Sequence, residues 1–201
     1  MPALFQRQTQ GWYQSTAQAK AQFTMWAMMA APLLIAADPG QVEPVMLEQW
    51  GNEEIISVSQ TFREGGPYQG ARLEGGDLSF HESISHGKPK LQGSGHNIWG
   101  KLLPNGAFAL AFLSNEKAPL DMTCNSTCFD KIFAGGVWPP ALPAGTATKV
   151  AALAAAPASL AVRDLWMHAD LPPLKPPYSL TAKAVPAFGG VAIYRLTPGT
   201  Q

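Results

Sequence analysis

The sequence predicts an α/β segment followed by an all-β segment along one chain of 201 residues. The run Phe23–Asp38 (FTMWAMMAAPLLIAAD) joins helical periodicity to a proline stop and a continuous apolar tail. Beyond about residue 60 the pattern becomes alternation with Gly and Pro punctuation. With 19 glycines and 18 prolines, the chain has a turn-rich composition suited to short strands and tight connections.

The first element is a helix over residues 14–31. Ala19, Phe23, Trp26, Met29 and Ala30 recur at three- and four-residue spacing, and Gln18, Lys20 and Gln22 supply a polar side. It should stop before Pro32, whose ring disfavours helix at the residue ahead of it. The LLIAAD that follows reads as a strand covered on both faces, as in a parallel sheet, with Asp38 at its C-terminal end. A second helix fits Val42–Trp50, and Ile55–Ser59 (IISVS) reads as a further short strand or extended segment. One strand between two helices has nothing to hydrogen-bond its edges, so this segment is too small to fold alone.

The remainder is antiparallel in character. In Gly106–Leu113 (GAFALAFL), Phe108, Leu110 and Phe112 share one face, with Ala107, Ala109 and Ala111 on the other. Tyr178, Leu180, Ala182 and Ala184 alternate with Ser179, Thr181 and Lys183. Gly190–Leu196 (GVAIYRL) is rich in β-branched and aromatic residues between turn signals. This is the pattern of a β-sandwich. It is broken near 134–159 by a Pro/Ala-rich insertion (WPPALPAGTATKVAALAAAP at Trp138–Pro157).

Composition excludes several functions. The 46% hydrophobic content allows a packed core, and equal numbers of acidic and basic residues leave a formal charge of zero. No basic face is concentrated enough to neutralise phosphates, so nucleic acid is not an expected partner. The apolar run falls short of the roughly 20 residues that span a bilayer and holds Pro32 near its middle, so no membrane anchor is expected. It also lies too far in, behind the polar QSTAQAKAQ, to be a signal peptide.

Site motifs are sparse. The two histidines of HESISH (His81–His86) are five apart and do not share a helix face, so a solvated loop is expected and no metal. His96 and His168 have no cysteine or carboxylate at ligand spacing. There is no phosphate-binding Gly-rich loop, dinucleotide fingerprint or G-x-S-x-G elbow, and no cofactor is expected. Asp38, at the C-terminal edge of a buried strand, has the address that carries chemistry in α/β barrels, against a plain capping role. Cys124 and Cys128 in TCNSTCF are either a disulfide or two reduced core thiols. Asn125-Ser126-Thr127 between them is an N-glycosylation sequon, set against chance occurrence and hindered access in a tight loop. Both modifications imply an oxidising compartment, while no targeting element is visible. A natural N-terminus lying further upstream would reconcile the two.

FTMWAMMAAPLLIAAD, GNEEIISVSQ and GPYQGARL together resemble the end of the catalytic barrel in α-galactosidases of glycoside hydrolase family 27. WGKLLPNGAFALAFLSN, TCNSTCF, AVRDLWMHADL and YSLTAKAVPAFGGVAIYRLTP resemble, in order, that family's C-terminal β domain. The resemblance runs from about residue 12 to the end, apart from the insertion. It implies an incomplete TIM-barrel segment (helix–strand–helix) over 1–62, joined to an antiparallel β-sandwich over 63–201. It also implies a Cys124–Cys128 disulfide of the kind animal lysosomal members carry.

The activity implied is retaining hydrolysis of terminal α-linked galactose from oligosaccharides, glycolipids or glycoproteins, by one Asp nucleophile and one Asp acid/base. Those aspartates lie in K-Y-D-x-C and R-x-x-x-D motifs, and neither motif occurs here. The W-N-D-P-D-M-L block is also missing, with MPALFQ near its place; SQTFR stands for N-Q-D-P-L, and AFGG replaces a frequent His of the last hairpin. No catalytic or sugar-binding residue carries over; Asp38 matches a family acid at the end of the eighth strand and is left a role either structural or in support of the residues that touch the sugar. The parent is expected to be secreted, lysosomal or vacuolar, and the resemblance admits a homodimer of it. Two alternatives stand beside this reading: an α-N-acetylgalactosaminidase portion, and a non-catalytic β-sandwich whose Trp99, Trp138 and Trp166 would stack on sugars.

Overall fold

The structure, a computed structural model, describes residues 15–35, 38, 40, 42–63, 66–67, 69–85, 88–133 and 157–199. The Pro/Ala-rich stretch, apart from its final residue Pro157, lies outside them.

Helix α1 spans Thr16–Met28 and opens on a capping box: Gln18 N donates to Ser15 Oγ at 3.2 Å, and Ser15 N donates to Gln18 Oε1 at 2.8 Å. It closes where expected. Ala30 takes a left-handed φ of 51°, and Ala31 N donates back to Trp26 O at 2.9 Å just ahead of Pro32. Helix α2 covers Pro44–Trp50, with proline at its start.

Two expectations fail in this region. No strand forms over Leu33–Ile35; the backbone there is irregular, and Leu34 and Ile35 are 57% and 46% exposed. A strand needs a neighbour for its N–H and C=O groups, and no strand among the described residues pairs with this segment. Ile55–Ser59 is not extended either. It lies in helix α3, Glu53–Ser59, where Asn52 Oδ1 accepts from Ile55 N at 3.0 Å and Glu53 and Glu54 occupy the positive first turn. Its β-branched residues are read better at helical spacing, for Ile55 and Val58, three apart, are both fully buried on one face.

The main layer is a six-stranded antiparallel sheet. In chain order its strands are β3 (Ala71–Gly75), β6 (His96–Leu102), β7 (Phe108–Ser114), β9 (Leu160–Asp164), β10 (Ala169–Leu174) and β12 (Gly190–Pro198), paired as β10-β9-β12-β7-β6-β3. The β6–β7 hairpin turns at Asn105-Gly106, both at positive φ (59° and 73°), the backbone that an Asn-Gly pair tolerates. Separate two-stranded ribbons are β1 (Phe62–Arg63) with β2 (Gly66–Pro67), β4 (Ser79–Ser85) with β5 (Lys88–Ser94), and β8 (Leu120–Cys124) with β11 (Leu180–Val185). Helix α4, Ser126–Phe133, follows β8.

The large/small alternation of β7 explains the layering. Phe108, Leu110 and Phe112 face a core built with Met122 and Cys124 of β8, Leu180 and Ala182 of β11, and Phe129 and Ile132 of α4. Ala107, Ala109 and Ala111 face a second core with Phe23, Ala27 and Met28 of α1, Trp50, and Ile55 and Val58 of α3. Alanine on that face lets a helix approach the sheet closely. The central strand is therefore buried on both sides, and each fully buried large side chain adds roughly 1.5–3 kcal/mol.

Candidate functional site

A fully buried polar site lies where the helices meet the sheet. Lys101 on β6 stands among apolar neighbours with no exposed surface. Its ammonium donates to Ala27 O at 2.8 Å and Val58 O at 2.6 Å, the carbonyl ends of α1 and α3. Ala27 O also accepts from Ala30 N at 3.2 Å, and both carbonyls lie at the negative end of a helix dipole, so one cation braces two helix ends. Burial pushes the Lys101 pKa down to about 8, which leaves the group charged at neutral pH.

A second cluster ties α3 to the β9–β10 hairpin. Arg163 grips Glu54 with both faces of its fork, Nε to Oε2 at 2.7 Å and Nη2 to Oε1 at 2.8 Å. Its Nη1 reaches Asp170 Oδ1 at 3.1 Å, and His168 Nδ1 lies 2.7 Å from Glu54 Oε1. Asn52, the cap of α3, donates Nδ2 to Leu165 O at 2.9 Å, and Arg195 donates to Ser57 Oγ. The Arg163 hydrogen bond is the main cause holding the Glu54 carboxyl below its usual pKa, and Lys183 does the same for Asp121. A general acid needs the opposite, a pKa raised toward neutrality. Both carboxyls are held ionised in ion pairs, Glu54 with Arg163 and Asp121 with Lys183.

Asp38 is exposed and its Oδ1 accepts from Gly40 N at 2.9 Å, a turn-forming contact. Cys124 and Cys128 are joined in a disulfide, both sulfurs inside the β8/β11/α4 core. Asn125 stands at the exposed N-terminus of α4, its Oδ1 accepting from Cys128 N at 3.1 Å and Thr127 Oγ1 at 2.7 Å. HESISH corrects a loop expectation: His81–Ser85 belong to β4 and pair with Lys88–Gln92, because alternation there continues into a partner strand, while His86 lies outside the described residues. His96 Nδ1 lies 3.2 Å from Glu116 Oε1, a carboxylate 20 residues away that sequence spacing alone does not bring to it.

Trp99 and Trp166 are half-buried against the helix-facing core, their Nε1 donating to Asn97 Oδ1 at 2.9 Å and Thr24 Oγ1 at 3.0 Å. Lys20 Nζ sits 5.0 Å from the Trp166 ring centroid. Both rings are committed to packing, and Trp138 lies outside the described residues. Among the described residues no group of three or more His, Cys, Asp and Glu is placed to hold a metal. No helix among them is long and apolar enough to cross a membrane.

Sequence reading missed Lys101 and the Glu54–Arg163 anchor. A lone lysine inside the apolar run of WGKLLP was the available signal for the first. Nothing local marks the second, since its partners are 109 residues apart.

The described residues thus form a mostly antiparallel sheet with helices packed on it. Comparison with known proteins shows what the chain is similar to. The chain is 29% identical over 113 residues to an α-galactosidase from Zygotorulaspora mrakii, covering 55% of this chain and 22% of that protein. An α-galactosidase from Saccharomyces mikatae matches over the same extent. The chain thus matches about a fifth of the length of these curated relatives. Among solved structures, an α-galactosidase from Saccharomyces cerevisiae matches with a TM-score of 0.63 at 18% identity, over 94% of this chain and 45% of that one. The same enzyme has been solved with raffinose. α-Galactosidase I from Mortierella vinacea matches with a TM-score of 0.62 at 19% identity, over 92% of this chain and 36% of that one. A family 27 β-L-arabinopyranosidase from Geobacillus stearothermophilus shares the fold with a TM-score of 0.59 at 14% identity, over 92% of this chain and 31% of that one. No protein-family model matches the chain. The resemblance to family 27 α-galactosidases read from the sequence is thus found again in both sequence and fold.

Proposed function

We propose that this chain is the C-terminal portion of a retaining α-galactosidase, whose two catalytic aspartates lie on parts of the parent outside the chain. The observation that carries this reading is the disparity of coverage. The yeast enzyme's fold matches 94% of this chain, yet the match takes up only 45% of that enzyme. In this reading residues 1–62 are the closing helix–strand–helix of a (β/α)8 barrel, and residues 63–201 are its β-sandwich partner. In the parent, pairing with the preceding strands would turn the Leu33–Asp38 segment, irregular over Leu33–Ile35 here, into the last barrel strand, with Asp38 at its end in a structural or site-supporting role. The parent is secreted, lysosomal or vacuolar.

The exposed apolar side chains support it. Leu34 and Ile35, in the segment where the strand is expected, and Val45 and Leu47 on α2 are all at least 39% exposed. A cluster of that kind marks surface meant to be covered. Beside it, the buried Gln49 amide of α2 has neither its oxygen nor its nitrogen paired among the described residues. The sheet's part is then to back the barrel wall, with Lys101 fixing the ends of α1 and α3 against it. Retaining hydrolysis requires two carboxyl groups about 5 Å apart, and this chain contributes neither.

The test is turnover of an aryl α-galactoside by the purified 201-residue chain. Activity at the blank level is expected, and turnover that survives purification would overturn the proposal.

A further inference from the structure

We propose that Asn125 is an acceptor for an N-linked glycan, carried on the exposed rim of the Cys124–Cys128 loop. Of the chain's five asparagines, only Asn125 is followed by the x-Ser/Thr that the glycosylation machinery requires. The side chain lies at an exposed helix start, and the structure uses only one of its two polar atoms. Oδ1 takes both hydrogen bonds, from Cys128 N and Thr127 Oγ1, while Nδ2, the atom that would carry sugar, has no partner among the described residues. Replacing one Nδ2 hydrogen by a sugar keeps the amide carbonyl, so the helix cap and the disulfide beneath it are retained. Ser126 and Thr127 are exposed as well, leaving open surface around the attachment point.

The chemistry needs a lipid-linked oligosaccharide pyrophosphate as donor. A bond forms between Asn125 Nδ2 and the sugar C1, and the bond from C1 to the pyrophosphate oxygen breaks. The lipid pyrophosphate departs with that electron pair, and one amide proton is released. Because both disulfide and glycan are made in oxidising secretory compartments, the two modifications of this loop are mutually consistent. This inference stands apart from the proposed activity, since it concerns passage through that compartment and not hydrolysis.

Translation of the full chain behind a cleavable secretion leader, with microsomes present, tests it. Protease protection establishes that the chain has been translocated. The expected result is one mobility shift, reversed by an amidase that removes N-glycans, with the mass change mapped to position 125. Asn125→Gln and Thr127→Ala should each abolish the shift, and Thr127→Ser should retain it. A protected chain with no shift, or a shift that persists in Asn125→Gln, would overturn the assignment.

Discussion

Lys101 and Val58 meet at 2.6 Å, a buried ammonium on the sheet closing the carbonyl end of α3, while the same group closes α1 through Ala27. This contact fixes the two helices to the β layer and to each other. Lys101→Met keeps the volume but removes the buried donor to Val58 O and Ala27 O, of which only Ala27 O keeps another bond among the described residues, from Ala30 N at 3.2 Å. A loss of about 1–3 kcal/mol is expected, read as a lower urea midpoint with unchanged slope.

The same residue gives a pH signature. Its folded pKa of about 8 lies below the unfolded value of 10.5, so between those limits the unfolded chain binds more protons and stability rises with pH. Tyr194 acts in the opposite sense from pH 10 upward, because burial pushes it up to about 12 and folding then favours the protonated form. The difference in stability between the unsubstituted chain and Lys101→Met should therefore grow from pH 8 to 10. A flat difference would place the lysine in solvent.

Glu54 behaves as a depressed carboxylate. Its stabilising pairing with Arg163 is present above the unfolded pKa near 4.5 and is lost as pH falls through the lower folded value. Glu54→Gln should cost about 1 kcal/mol at neutral pH, since the pair is partly solvated. It should also flatten the acid limb of the stability curve, followed by thermal melts from pH 6 downward.

Reduction of the Cys124–Cys128 bond opens a loop of only four residues' separation. Chain entropy assigns such a closure about 2 kcal/mol. Melting with and without a strong reductant should differ by that order, and the Cys124→Ser, Cys128→Ser double variant should lose at least as much, because both positions are fully buried.

The exposed apolar segment governs behaviour in solution. The isolated chain should self-associate through Leu34, Ile35, Val45 and Leu47. Substituting Leu34 and Ile35 by Lys should shift it toward monomer in sedimentation velocity. A monodisperse, unsubstituted monomer would contradict the view that this surface is normally covered.

The strands β7, β11 and β12 were legible in the sequence because their signal is local, whereas β4 reads as a loop. The Phe/Ala alternation of β7 declares a strand with two different faces, and the structure has both. Helix α1 was legible for the same reason, with its period and its proline stop. The errors arise where neighbours decide. Ile55–Ser59 carries β-branched residues, yet the Asn52 cap and the sheet below make it helical. Leu33–Ile35 has the composition of a buried strand, but a strand without a ladder partner is not a strand. The anchors Lys101 and Arg163 join residues far apart in the chain, and no local pattern announces them.

The central claim is best tested on the product of the longest in-frame coding sequence that contains this chain. Its hydrolysis of an aryl α-galactoside should be followed by NMR at the anomeric proton. The account predicts that the longer product carries both aspartate motifs and releases α-galactose first, with retention. A longer product holding both motifs that shows no turnover, or one that releases the β-anomer first, would contradict it.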